Sequence, residues 1–245
     1  MKQTELIMGM PISVEIVDGK ADAMALVFDY FRRVDERYST YKDDSEISRI
    51  NAGLSPLEWS DEMTAVLRLC EETRSETGGY FDIRRDGRLD PSGLVKGWAI
   101  HNAAQLLLKR GIDNFMIDAG GDIQVHGHNP DGEPWKIGLR NPFNRDEIVK
   151  TITTSSDGVA TSGTAVRGQH IYNPKLPESP IEEIVSLTVI GPNIYEADRF
   201  ATAAFAMGRS GVVFIESRPE LEGYVIDREG MATLTSGFEA RSNRA

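Results

Sequence analysis

Between Leu89 and Gly111 the chain reads LDPSGLVKGWAIHNAAQLLLKRG, a helical pattern whose first turns combine two glycines with a lysine. The start of a helix leaves backbone N–H groups unpaired and carries the positive end of the macrodipole. Asp90-Pro91-Ser92-Gly93 suits such a start, because proline is tolerated there and serine is a good cap. Gly93 and Gly97 remove side chains that would keep a ligand from the backbone, and Lys96 adds a cation. Together they can hold an anion, most naturally a phosphate. A helix packed tightly through its glycines, with Lys96 in solvent, accounts for the stretch equally well. The spacing is not that of the P-loop.

Two more clusters carry chemistry. In GVATSGTAVRGQHIYNP a polar turn, Thr161 to Thr164, precedes His170, the histidine most clearly set in polar, Gly-rich sequence. In YEADRFATAAFAMG, Asp198 and Thr202 lie one helical turn apart and so share a face. A carboxylate and a hydroxyl there are hard oxygen ligands of the kind magnesium prefers, although ordinary surface residues show the same spacing. His126 and His128 flank a glycine in VHGHNPDG and lack a third ligand, which makes a metal motif weak. Cys70, in the amphipathic VLRLCEET, reads as a small buried hydrophobe. A single cysteine excludes an internal disulfide and a thiolate zinc site.

The elements that must position these residues follow from periodicity. Residues 3–17 alternate and read as a strand with a Gly-Met-Pro interruption. Met24, Val27, Phe31 and Val34 recur at helical spacing from Ala21 to Tyr38. Asp44-Ser45 looks like the cap of a short helix ended by Gly53, and Ser60 to Thr77 is a second long helix. The helix of the opening stretch closes at Gly111. Short β-type runs come next: NFMID, DIQVHG, WKIGL, IVKTITT, GVATSG, HIYNP and IVSLTVIG. A helix from Glu196 to Met207, another near 210–217 and two closing strands complete the chain. The reading is α+β: one domain over residues 1–245, with mainly antiparallel sheets covered by helices, in two intimately packed lobes without a clear linker.

Composition sets bounds. At 245 residues the chain can bury a sizeable core, and 40% hydrophobic with 27% charged residues is ordinary globular composition. A net charge of −11 argues against nucleic-acid binding, since no cationic excess is available for phosphates. The N-terminus lacks an apolar h-region, and no run approaches the ~18 apolar residues of a membrane span. A cytoplasmic protein without membrane insertion is the expectation.

Taken in order, MGMP, STYKDDSEISRIN, GGYFDI, LDPSGLVKGWA, DAGGDIQVHG, VATSG with HIYNP, and EADRFATAAFAMG resemble the ApbE family of FAD:protein FMN transferases, from Met8 to about Gly208. The resemblance implies two α/β lobes with FAD and Mg2+ in the cleft between them. It implies transfer of FMN from FAD to a threonine or serine of an acceptor flavoprotein, with release of AMP. By motif position, Met8, Tyr41, Tyr80, Phe81, Asp82, Asp90, Lys96 and Tyr172 would contact FAD. The Gly93 carbonyl, Asp198 and Thr202 would hold the metal, and His170 would act as base or orient the acceptor. The same site could deliver FMN to water, as an FAD pyrophosphatase, or merely bind FAD.

This chain also departs from the family pattern. Only IRRDGR separates Phe81-Asp82 from Leu89-Asp90, where relatives carry a long insertion. Arg84, Arg85 and Arg88 in that short loop could contact phosphate or lie in solvent. Met10 stands in place of a threonine, Asn173 in place of an acid, KLPESP in place of T-G-x-P, and Ala201 at a position acidic in some relatives.

Overall fold

Lys2–Ile7 (β1) and Met10–Ile16 (β2) form an antiparallel hairpin where the sequence suggested one interrupted strand. The two connecting residues, Met8 at φ 55 and Gly9 at φ 70, both take the left-handed conformation that a two-residue hairpin turn needs. For methionine that conformation is strained, and it recurs below at the edge of the cleft. The computed structural model describes residues 1–18, 21–144, 146–164 and 171–243.

Three helices follow, Ala21–Tyr38 (α1), Glu46–Asn51 (α2) and Asp61–Glu76 (α3). On α1 the residues Met24, Val27, Phe28, Phe31, Val34 and Tyr38 are buried, as their spacing requires. Ser45 and Ser60 cap α2 and α3, each side chain accepting a backbone N–H at 3.1 Å. A short hairpin, Arg84–Arg85 (β3) and Arg88–Leu89 (β4), leads into Ser92–Leu108 (α4). At the start of α4, Pro91 holds the cap position, and Asp90, rather than Ser92, supplies the side-chain bond, accepting the Ser92 N–H at 3.0 Å.

The β-rich half contains Phe115–Ala119 (β5), Asp122–His126 (β6), Trp135–Arg140 (β7), Ile148–Thr154 (β8), Gly158–Gly163 (β9) and Ile184–Gly191 (β10). Ile194–Ala206 (α5), Gly211–Glu216 (α6), Glu222–Asp227 (β11), Ala232–Leu234 (β12) and Phe238–Arg241 (α7) follow. Residues 171–174 form no strand, contrary to the expectation for HIYNP. Asn173 instead turns the chain, its Oδ1 accepting the Lys175 N–H at 2.9 Å, beside a proline that cannot donate to a ladder.

Strand order in the main sheet is β1-β2-β5-β6-β9-β10-β11-β12, and every pairing between these strands is antiparallel. The fold is therefore α+β. Side-chain alternation separates two cores. Ala160, Leu187, Val189 and Val225 join the core under α1, α4 and α5, while Val159, Ile190, Tyr224 and Ile226 join one covered by β7, β8 and α7. Helix α4 lies between α1 and α5 and is apolar nearly all round, as an enclosed helix must be. The start of α5 is fixed twice: Asn193 accepts the Glu196 N–H at 3.0 Å, and buried Gln124 accepts the Ile194 N–H at 2.8 Å. Among the described residues no helix is long and apolar enough to cross a membrane.

Candidate functional site

Helices α4 and α5 meet through two pairs of residues, each pair one turn apart. Gly97 faces Asp198, and Gly93 faces Thr202. A Cβ at Gly97 would stand 2.6 Å from the Asp198 Cβ and 2.9 Å from the Ile194 carbonyl oxygen. One at Gly93 would stand 3.3 Å from the Phe81 ring and 3.5 Å from the Thr202 methyl. The glycines thus let two helices approach closely. Tight packing, one of the two sequence readings, explains Gly97. That packing also builds the site: the Gly97 N–H donates to Asp198 Oδ2 at 2.8 Å.

Asp198 is 2% exposed, an expensive position for a carboxylate. Lys96 lies 3.4 Å from its Oδ1 and in direct contact with Asp122 Oδ2. The other Asp122 oxygen accepts the Thr161 N–H at 3.0 Å, and Thr161 Oγ1 shares a 2.8 Å hydrogen bond with Thr188. Burial raises the Asp198 pKa, Lys96 opposes the rise, and the Asp122 carboxylate adds to it. Two buried carboxylates, Asp198 and Asp122, thus face the Lys96 ammonium group. Asp198 and Thr202 offer oxygen donors from one face of α5, opposite Gly97 and Gly93 of α4. The donor set is hard and anionic, and it suits a small divalent cation.

Above this cluster opens a cleft of about 540 Å3. Met8, Tyr41, Tyr80, Phe81, Asp82, Asp90, Gly93, Lys96, Tyr172 and Thr202 all line it. Asp198 sits beneath its floor. His170 lies outside the described residues. The sequence-selected positions come from six separate segments, and the fold gathers them on one concave surface. Their surroundings differ, however. Tyr41 is 97% exposed at the rim, whereas Phe81 is buried. Tyr80 carries the Lys175 ammonium 4.1 Å from its ring centroid. The Asp82 carboxylate is already engaged, accepting from Arg74 Nε and the Arg84 N–H at 2.9 Å each. Its geometry is that of a residue fixing the cleft wall.

Asp122 was absent from the sequence-derived site. Its signal was present in DAGGD, an acid placed directly after a Gly-Gly turn at the start of a strand. His126 is held in the sheet, away from the cleft. Its Nδ1 bonds the Asp113 carbonyl at 2.6 Å and its ring stacks on Phe115. No group of three or more His, Cys, Asp or Glu side chains forms a metal cluster among the described residues. Cys70 is buried in α3, as the sequence suggested.

Comparison with known proteins shows the family and the fold. The family model described as ApbE family matches residues 8–86 and 84–225. An FAD:protein FMN transferase of Vibrio cholerae serotype O1 is 27% identical over 82% of this chain and 79% of its own length. One from Haemophilus influenzae is 24% identical over 86% of this chain and 79% of its own. A Klebsiella pneumoniae relative of the same name is 28% identical over 58% of this chain and 43% of its own. Among solved structures, the ApbE protein of Thermotoga maritima superposes with a TM-score of 0.88 at 19% identity, covering 100% of this chain and 99% of that one. The flavin transferase ApbE of Vibrio cholerae gives 0.85 at 23% identity, with 98% of both chains covered. These likenesses show that the fold is shared.

Proposed function

The chain belongs to the ApbE family, and we propose that it is an FAD:protein FMN transferase, moving FMN from FAD to a threonine or serine hydroxyl of an acceptor protein. The observation that carries this reading is the cluster of two buried carboxylates, Asp198 and Asp122, with Lys96 at the cleft. It lies where a pyrophosphate entering over the start of α4 would come to rest.

The chain's own groups divide the work. Tyr41, exposed at the rim beside Met8, is free of burial and can take the isoalloxazine ring by offset stacking, worth about 1 kcal/mol. Lys96, fixed by Asp122 and Asp198, presents a cation to the bridging phosphates where negative charge grows. Asp198, Thr202 and the Gly93 carbonyl would hold Mg2+, which when bound neutralises pyrophosphate charge and improves AMP as a leaving group. The acceptor oxygen forms a bond to the FMN phosphorus while the bond from that phosphorus to the bridging oxygen breaks. AMP leaves with the bridging oxygen. We assign His170 to take the hydroxyl proton or to orient the acceptor, since an imidazole can serve in either role.

The expected result is AMP release from FAD that requires Mg2+ and stops with chelator, measured by chromatography of the nucleotide products. AMP release that continues at full rate under chelation would remove the metal from the reading. FAD left intact with Mg2+ and acceptor present would remove the activity itself.

A further inference from the structure

The short loop that replaces the family's insertion is a built element. Asp86 at φ 51 and Gly87 at φ 74 close β3 and β4 with a two-residue left-handed turn, the Asp-Gly signature of a tight hairpin. Alternation along a strand then sends Arg84 and Arg85 to opposite faces. Arg84 goes to α3, where Glu71 takes its guanidinium at 3.0 Å. Arg85 goes to the cleft, which it lines.

There the Arg85 guanidinium carbon lies 4.6 Å from the centroid of the Tyr172 ring. The Tyr172 hydroxyl donates toward the Asp82 and Arg84 carbonyls at 3.3 Å each, which fixes the ring to the hairpin. A guanidinium stacked by its face keeps its N–H edge for an anion, and that fork matches a phosphate. The carboxylate nearest to Arg85 among the described residues is Asp86, 3.6 Å away and 91% exposed, a pairing that solvent weakens. Register also places Arg88 directly opposite Arg85. Two like charges in that arrangement cost stability, and an anion between them relieves the cost.

We propose that Arg85, laid on Tyr172, binds a phosphate of the adenylate half of FAD and so makes this chain discriminate the dinucleotide from flavins lacking that half. The inference rests on reading the cleft as an FAD site. With the flavin placed at Met8 and Tyr41, Tyr80 and Tyr172 are left for the other half of the substrate, with the Lys175 ammonium on the first ring and the Arg85 guanidinium on the second.

The test compares wild type, Arg85→Ala and Arg85→Lys by AMP release at varied FAD, with riboflavin as competing inhibitor. Losing one charge-assisted phosphate contact raises KM for FAD about tenfold or more. The expected pattern is that rise in Arg85→Ala, with the riboflavin inhibition constant nearly unchanged, and a partial return in Arg85→Lys. An unchanged KM overturns the inference. So does an equal weakening of FAD and riboflavin, which would mark a merely structural arginine. A wild-type protein that releases no AMP overturns the functional reading, and this inference with it. Turnover with an unaffected KM overturns the role of Arg85 alone.

Discussion

Asp198→Asn is expected to reduce AMP release from FAD by at least about a hundredfold while leaving the fold intact, because removing one preorganised electrostatic group at a reacting phosphate costs that much or more. The substitution keeps the size of the side chain and an oxygen for the Gly97 N–H, which now lies 2.8 Å from the carboxylate. What it removes is the charge. Lys96 would then keep its contact with the Asp122 carboxylate and lose the charge of Asp198. Since burial already disfavours the ionised Asp198 carboxylate, the variant should melt at or above the wild-type temperature. Activity falls as stability holds or rises, which distinguishes the change from general damage. Thermal melting and AMP chromatography on the same preparation check both halves. A variant that turned over FAD at the wild-type rate would contradict the metal role given to Asp198.

Lys96→Met has the largest expected effect on stability. Asp122 and Asp198 are both 2% exposed, and Lys96 supplies the cation between them. Methionine fills similar space and leaves the two carboxylates uncompensated. Breaking a buried pair in this way costs about 3–5 kcal/mol. In a chain of this size that lowers the melting temperature by on the order of 10 °C. The double variant Lys96→Met/Asp122→Asn removes one of the stranded charges and is expected to melt well above the single variant. Differential scanning calorimetry of the pair reads this directly. If Lys96→Met melted with the wild type, the ammonium would not be holding the cluster together. Turnover of the single variant should fall as well, since Lys96 also faces the cleft.

Much of the fold was legible in the sequence because it is carried by local patterns, whereas most candidate site residues came from the family resemblance. The amphipathic spacing of Met24, Val27, Phe31 and Val34 defined α1, and the caps Ser45 and Ser60 marked where α2 and α3 begin. Asp198 and Thr202 on one face of α5 followed from helical periodicity alone. What remained hidden depends on distant parts of the chain. Nothing near DAGGD states that Asp122 will meet Lys96, since that contact requires β6 to lie beside the start of α4. Gly97 fitted ligand approach and tight helix packing equally well, and only the fold shows that its partner is a helix about a hundred residues away. The Asp86-Gly87 turn was a missed local signal, because strands of two residues are too short for any alternation to show. Met8-Gly9 was similar: an interruption in a strand and a hairpin turn have the same residues, and only the pairing of β1 with β2 separates them.

The most direct test of the proposed transfer is the intact mass of an acceptor domain bearing a threonine or serine site, after incubation with the protein, FAD and Mg2+. The account predicts an acceptor heavier by one FMN unit, formed in step with AMP and absent when Asp198→Asn replaces the wild type. AMP and free FMN beside unmodified acceptors, across several unrelated acceptor domains, would contradict it and make water the acceptor at this site.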